Sequence, residues 1–449
     1  MKFNKLVQSL TSKYDANNTN FSFSSGKRGF LTNDIVPGNI TVTSGKGATL
    51  QTSRGEMIDL ASMTVNCILG QNDPWVKANM VAYMNSDRPS FVSSTMGSEF
   101  YYKVARRILD VSRMKNSVIN HRQCNGTDVI ELAIKTAYKY RKGNRRKVVS
   151  FVHSYHGQGL TAYIISDLQK RHQFLVSDSP VIFLDQPDNT ADPMKQKMTQ
   201  HDNELIEQLI EIKNDVSAVI IEPIQVNNDV NTISRAFLSK LKTTCEKNNI
   251  VLIFDEVQTG FGWLGKMTAA EKYHTWPHMM ALSKALTAGF GPLSALISVK
   301  KFGEIIPGTG EKTNGSDVRS LVASNAIIDR LIGLPKNEIP DAVDGHLREE
   351  LEHGLLYYFD SKVSILEALL SDLFNKSAGS IKEIRGAGLI RGICLPNNKS
   401  ADRIHLSALK HGVFLRKFGS TLIVKPPIII TEEELEKAFG LLRKSFALL

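Results

Sequence analysis

Short apolar runs alternate with amphipathic stretches through the middle of the chain. Lys147–Phe151, Val216–Ile221, Val251–Phe254 and Met279–Leu282 are each dominated by apolar residues, the pattern of strands buried on both faces of a sheet. Val118–Asn120 ends a further short strand. Between these runs the spacing is helical. Val129, Leu132, Ala133, Thr136 and Ala137 predict a helix over Val129–Arg141, and Tyr101–Arg113 and Val318–Leu334 read the same way. Asp73 followed by Pro74 predicts an N-cap and the first position of another helix. Alternating strands and helices point to an α/β fold.

The two ends of the chain read differently. Residues 1–60 are polar, and Asn39–Thr43 and Ala48–Leu60 predict short strands and turns. Beyond a linker at Leu334–Asn337, one long amphipathic helix is expected over Leu347–Leu373. A strand at Ile384–Ile390 and two last strands, Val413–Arg416 and Leu422–Pro427, are expected next. Thr431 with Glu432–Glu434 then caps a closing helix. These signals divide the chain into an N-terminal segment (1–60), a large domain (61–333) and a C-terminal small domain (334–449).

Composition narrows the class. The chain has 449 residues, 42% hydrophobic and 22% charged, ordinary for a globular protein and long enough for more than one domain. Its formal charge of +10 is spread along the chain. The densest basic run, Arg141–Lys147, reads as a helix end and turn, where cations are favoured, so nucleic acid is not an expected partner. The four cysteines are scattered without a CxxC spacing, which predicts a reducing compartment and no metal site. No long apolar stretch suggests a membrane span or a leader. A cytoplasmic protein is expected.

The chemistry is concentrated around residues 255–284. Asp255 and Glu256 follow an apolar run at once, and Lys284 follows another, 29 residues after Asp255. In open α/β sheets ligands bind at the carboxyl ends of the strands. Pyridoxal phosphate (PLP) calls for this pair, a lysine for a Schiff base and an acid at its ring nitrogen. A second reading competes nearby. Gly260–Lys266 has the GxxxxGK spacing of a phosphate loop, but Met267 replaces the Ser or Thr that would bind magnesium. Farther upstream, Asn125-Gly126-Thr127 at a helix start offers an anion site.

DEVQTGFG (residues 255–262) and SKAL (283–286) together resemble the signature of the class III aminotransferases, the ω-amino acid, ornithine and diaminopelargonate type of PLP enzyme. The resemblance runs from about residue 40 to the C-terminus. It implies a type I, aspartate-aminotransferase-like fold: a large domain around a mostly parallel seven-stranded sheet, and a small α+β domain built from both chain ends. By position it makes Lys284 the Schiff-base lysine and Asp255 the partner of the ring nitrogen. Gly126 and Thr127 would hold the phosphate. Tyr155 in a Y-H-G segment would stack on the ring beside His156, with Val257 on the opposite face. Gln258 would reach the ring hydroxyl oxygen, and Glu222 matches an active-site glutamate. Thr313, in a segment similar to T-x-x-G-N-P, would reach the phosphate of the neighbouring subunit and so imply a homodimer with shared active sites.

On the substrate side, the resemblance assigns Arg416 to a carboxylate, while Trp263 stands near the site mouth where many members have arginine. Val226–Asp229 and Ile423 also depart from familiar members. The implied reaction moves an amino group from an amino acid or ω-amine donor to an oxo acid through pyridoxamine phosphate. A racemase or epimerase, an aminomutase or a phospho-lyase on the same scaffold stays open. The more distant rivals are a P-loop-like nucleotide hydrolase and a non-catalytic basic binding protein.

Overall fold

The computed structural model describes residue 7 and residues 40–93, 95–140, 145–168, 180–303, 310–343, 345–377 and 379–447. The expectations placed on residues 1–6, 8–39 and Arg141–Asn144 lie outside them. The central sheet has seven strands in the order Ser117–Gln123, Ser294–Val299, Met279–Leu282, Val251–Asp255, Val216–Ile221, Lys147–Phe151 and Val181–Leu184. Only Ser294–Val299 runs antiparallel to its neighbours; the pairings from Met279–Leu282 to Val181–Leu184 are all parallel. Val216–Ile221 and Val251–Asp255 are buried at every position. A strand covered on both faces has no polar side to display, which is why these two are apolar except for Ser217 and the terminal Asp255.

The mixed pattern carries the chain's chemistry to one edge. Asp255, Glu222, Lys284 and the segment Val152–His156 all lie at or beyond the carboxyl ends of parallel strands. The strand expected to end at Asn120 continues to Gln123, and its helix begins at Gly126 rather than Val129. Polar residues at the strand end hide its length, because they already belong to the ligand edge.

The two chain ends meet. Val42–Lys46, Thr49–Thr52 and Gly55–Asp59 form an antiparallel meander, and Val413–Phe414 joins it in parallel beside Gly55–Asp59. Thr49 and Lys437 add polar ties to Glu434 and Glu56 at 3.2 and 2.8 Å. Thr431 caps the closing helix Glu432–Phe446 in a reciprocal capping box with Glu434, and Asp73 caps Pro74–Met84, both as expected.

Three local expectations are corrected. The helix expected over Leu347–Leu373 is broken into Gly345–His353, a 3-10 turn Leu355–Tyr358 and Phe359–Lys376. Gly354 makes the break at φ +76°, where a Cβ would lie 2.4 Å from the Ile332 carbonyl carbon. Ile384–Ile390 is a hairpin, not one strand: Glu383–Ala387 turns through Gly388 (φ +58°) into Ile390–Cys394. Val413–Arg416 is likewise divided, since Arg416–Phe418 pairs instead with Thr421–Val424 in the C-terminal sheet.

Candidate active site

The strand ends enclose a cavity of about 450 Å³ lined by, among others, Gly126, Thr127, Tyr155, Asp255, Val257 and Lys284. Asp255 is the last residue of its strand and is buried. Its Oδ2 lies 2.7 Å from His156 Nδ1, and its Oδ1 accepts the Val257 N–H at 3.1 Å. A carboxylate offers about four lone-pair positions, so Asp255 can still accept from a group in the cavity. Glu256 points to the other side of the strand, as pleating requires. There it accepts the Ala269 and Ala270 N–H groups at 2.5 and 2.9 Å and anchors the turn after Gly260. Burial pushes its carboxyl up to about 7.

Lys284 begins the 3-10 turn after Met279–Leu282 with φ +40°, a left-handed conformation uncommon outside glycine. It is not fully closed off, and lines the cavity. Burial, reinforced by the Arg416 guanidinium, pushes its amine down to about 8, while Asp255 and Glu222 pull the other way. Glu222 accepts the Tyr155 N–H at 3.1 Å. Its burial next to Asp255 raises its carboxyl well above the usual range.

At the opposite end of the cavity stands the N-terminus of the Gly126–Tyr140 helix. Asn125 Oδ1 accepts the Asp128 N–H at 3.0 Å, and Asp128 accepts from Cys124 N and Asn125 Nδ2. The Gly126 and Thr127 positions open onto the cavity, where a helix dipole favours an anion. Gly157 sits at φ +131° against this turn: a Cβ there would lie 2.5 Å from Thr127 Oγ1. A Cβ on Gly126 would lie 3.0 Å from Val257.

The structure brings together Gly126, Thr127, Tyr155, His156, Glu222, Asp255, Val257, Gln258 and Lys284 around this cavity. Arg416 lines an adjoining space of about 380 Å³ with Tyr155, Lys284 and Asn227. Thr313 is exposed and does not line the cavity. Trp263 is corrected as a residue of the site mouth. Its indole is fully buried in the main hydrophobic core, covered by Lys425 Nζ at 4.0 Å from the ring centroid. The phosphate-loop reading also fails on geometry. The Phe261, Gly262 and Gly265 N–H groups are donated to Met267, Lys266 and Gly262 carbonyls within the turn, leaving no cradle of free donors at those positions.

Sequence reasoning missed Asn227, whose Oδ1 is buried without a hydrogen-bond partner among the described residues. It lies in the Val226–Asp229 loop, where only the departure from familiar members drew notice. Lys425, Ser283 and Thr287 carried no local pattern.

The cavity's chemistry fits PLP. His156 Nε2 and Gln258 Oε1 are buried and unpartnered among the described residues, and each belongs to a residue bordering the cavity. An acid, an amine of lowered pKa and a helix N-terminus in one enclosure suit the cofactor's ring nitrogen, aldehyde and phosphate.

Comparisons with known proteins agree. The family described as Aminotransferase class-III matches residues 32–446. The chain is 26% identical to acetylornithine aminotransferase of Clostridium acetobutylicum, over 93% of this chain and 99% of that protein. It is 27% identical to ornithine aminotransferase 1 of Staphylococcus aureus, over 91% and 95%. Among solved structures, a transaminase from the marine bacterium Virgibacillus superposes with a TM-score of 0.79 at 19% identity, covering 98% of both chains. An amine transaminase from an uncultivated Pseudomonas species gives 0.78 at 21%, covering 95% and 99%. The fold is that of the type I PLP enzymes, and the chain belongs to the class III aminotransferases, PLP-dependent enzymes of transamination.

Proposed function

We propose that Lys284 and Asp255 form the catalytic pair of this transaminase, a reading carried by their convergence on one cavity from the ends of two adjacent strands. When bound, PLP supplies the electron sink that lets a donor's Cα–H bond break. Lys284 Nζ would hold the cofactor at its aldehyde carbon, with loss of water, and its free amine, once released by the donor's amine, would take the proton from the carbon that bears the donor's amino group. Its lowered pKa leaves part of the amine unprotonated near neutrality, as both tasks require. Asp255, oriented by His156, would accept a hydrogen bond from the protonated ring nitrogen and stabilise its charge. Tyr155 and Val257 would cover the ring's faces, with Glu222 beside Tyr155; Gly126, Thr127 and the helix N-terminus would take the phosphate, and Gln258 a polar ring substituent.

Arg416 would bind a substrate carboxylate through its planar guanidinium. Relatives named for acetylornithine and ornithine support an amino acid or ω-amine donor, and an oxo-acid acceptor fits the aminotransferase activity of the family. We place Thr313 at the active site of a second copy, which makes the working unit a homodimer. The division at residues 60 and 334 belongs to the same reading, as does a cytoplasmic location, supported by four free cysteines. None of the described helices is long and apolar enough to cross a membrane.

The test is stoichiometry. Holo-protein given an amino donor alone should release about one carbonyl product (an oxo acid, aldehyde or ketone, according to the donor) per bound cofactor and stop until an oxo acid is added. Sustained turnover without an acceptor would point instead to racemase or aminomutase chemistry.

A further inference from the structure

Lys425 follows the strand Thr421–Val424 and is fully buried. Its backbone is pinned at both ends: its N–H donates to the Leu60 carbonyl at 2.6 Å, and its carbonyl accepts from Ser62 Oγ at 2.8 Å. The side chain crosses to the segment after Asp255. There Nζ donates to the Gln258 carbonyl and lies over the Trp263 ring. Burial holds its amine well below the ordinary lysine range, and the neighbouring cations Lys284 and Arg416 lower it further.

Packing does not account for a lysine here. Burying an amine beside two cations costs stability, and methionine would occupy similar space without that cost. What the amine provides is a donor to a main-chain carbonyl on the segment that lines the cavity. Gln258 presents there an amide oxygen without a partner among the described residues, and Val257 lines the wall against Gly126.

We propose that Lys425 is a positioning residue for the cofactor: its side chain clasps the Gln258 carbonyl and fixes the Val257–Gln258 segment against the ring. The clasp joins three distant parts of the chain, Leu60–Ser62, Gln258–Trp263 and Lys425, so the shelf under the cofactor depends on the meeting of the chain ends. This inference rests on the cavity holding PLP.

The test compares Lys425→Met and Lys425→Gln with the unmodified protein, measuring the apo-protein's Tm, the dissociation constant for PLP and the ratio of the bound cofactor's absorption bands. Lys425→Met should keep or raise the apo Tm, bind PLP roughly three- to tenfold more weakly, as loss of one hydrogen bond implies, and change the band ratio. Lys425→Gln retains a donor and should recover most of the affinity. The proposal is overturned if Lys425→Met binds PLP with unaltered affinity and band ratio, if it fails to fold, or if glutamine rescues nothing. Failure of the underlying reading looks different: the unmodified protein itself would then show no visible band with PLP.

Discussion

Asp255 and His156 stand 99 residues apart in sequence, yet Asp255 Oδ2 and His156 Nδ1 lie 2.7 Å apart with both side chains shut away from solvent. The contact joins the end of Val251–Asp255 to the segment after Lys147–Phe151, two strands separated in the sheet by Val216–Ile221. A carboxylate so held is oriented before any ligand arrives, which is the condition for electrostatic stabilisation without reorganisation.

Replacing Asp255 by asparagine preserves the shape and removes the charge. PLP binding should persist, while the rate of the first half-reaction should fall roughly 100- to 1000-fold. Stopped-flow absorbance of holo-protein mixed with a donor measures it; a loss of less than tenfold would remove Asp255 from the catalytic role.

The pH dependence follows from Lys284. Its amine must be neutral to attack the cofactor's aldehyde, and its pKa is lowered to about 8. Capture of PLP by apo-protein should therefore slow by roughly tenfold per unit as pH falls below about 8, and level off above it. An ordinary lysine would keep accelerating to about 10.5.

Gly157→Ala tests the phosphate end. A methyl group would press on Thr127 at a backbone angle that side chains rarely adopt, with strain of about 1–3 kcal/mol. PLP affinity should weaken by about tenfold or more, with little change in the visible spectrum once the site is saturated. A fluorescence titration of apo-protein decides it; unaltered affinity would place the phosphate elsewhere.

Arg416→Leu should raise KM for donors bearing a carboxylate and for oxo acids. Loss of a hydrogen bond to a charged group, about 2 kcal/mol, corresponds to roughly thirtyfold. Simple amines without a carboxylate should lose little. Equal loss for both classes would make Arg416 a structural residue.

Much of this arrangement could be read from the sequence, for a physical reason. Strands buried on both faces must be mostly apolar, so Val216–Ile221 and Val251–Phe254 announce themselves, and Asp255 and Lys284 stand out as the charged residues just beyond apolar runs. The Gly354 break and the hairpin at Gly388 were hidden, because amphipathic and apolar patterns continue across them while a single glycine reverses the chain. Trp263 misled by position: the sequence places it in a glycine-rich loop, and only the packed structure shows that the loop folds inward onto Lys425. The placing of Asn227 beside Arg416, the contact of His156 with Asp255 and the Lys425 clasp bring together segments distant in sequence, which local periodicity does not encode.

The most direct test of the central claim is the visible absorption spectrum of the purified protein with added PLP, compared with Lys284→Ala. The unmodified protein should develop the visible band of a lysine-linked cofactor and lose it on addition of an amino donor. Lys284→Ala should fold normally but lack both that band and turnover. No band in the unmodified protein, or the same band and near-normal turnover in Lys284→Ala, would contradict the account.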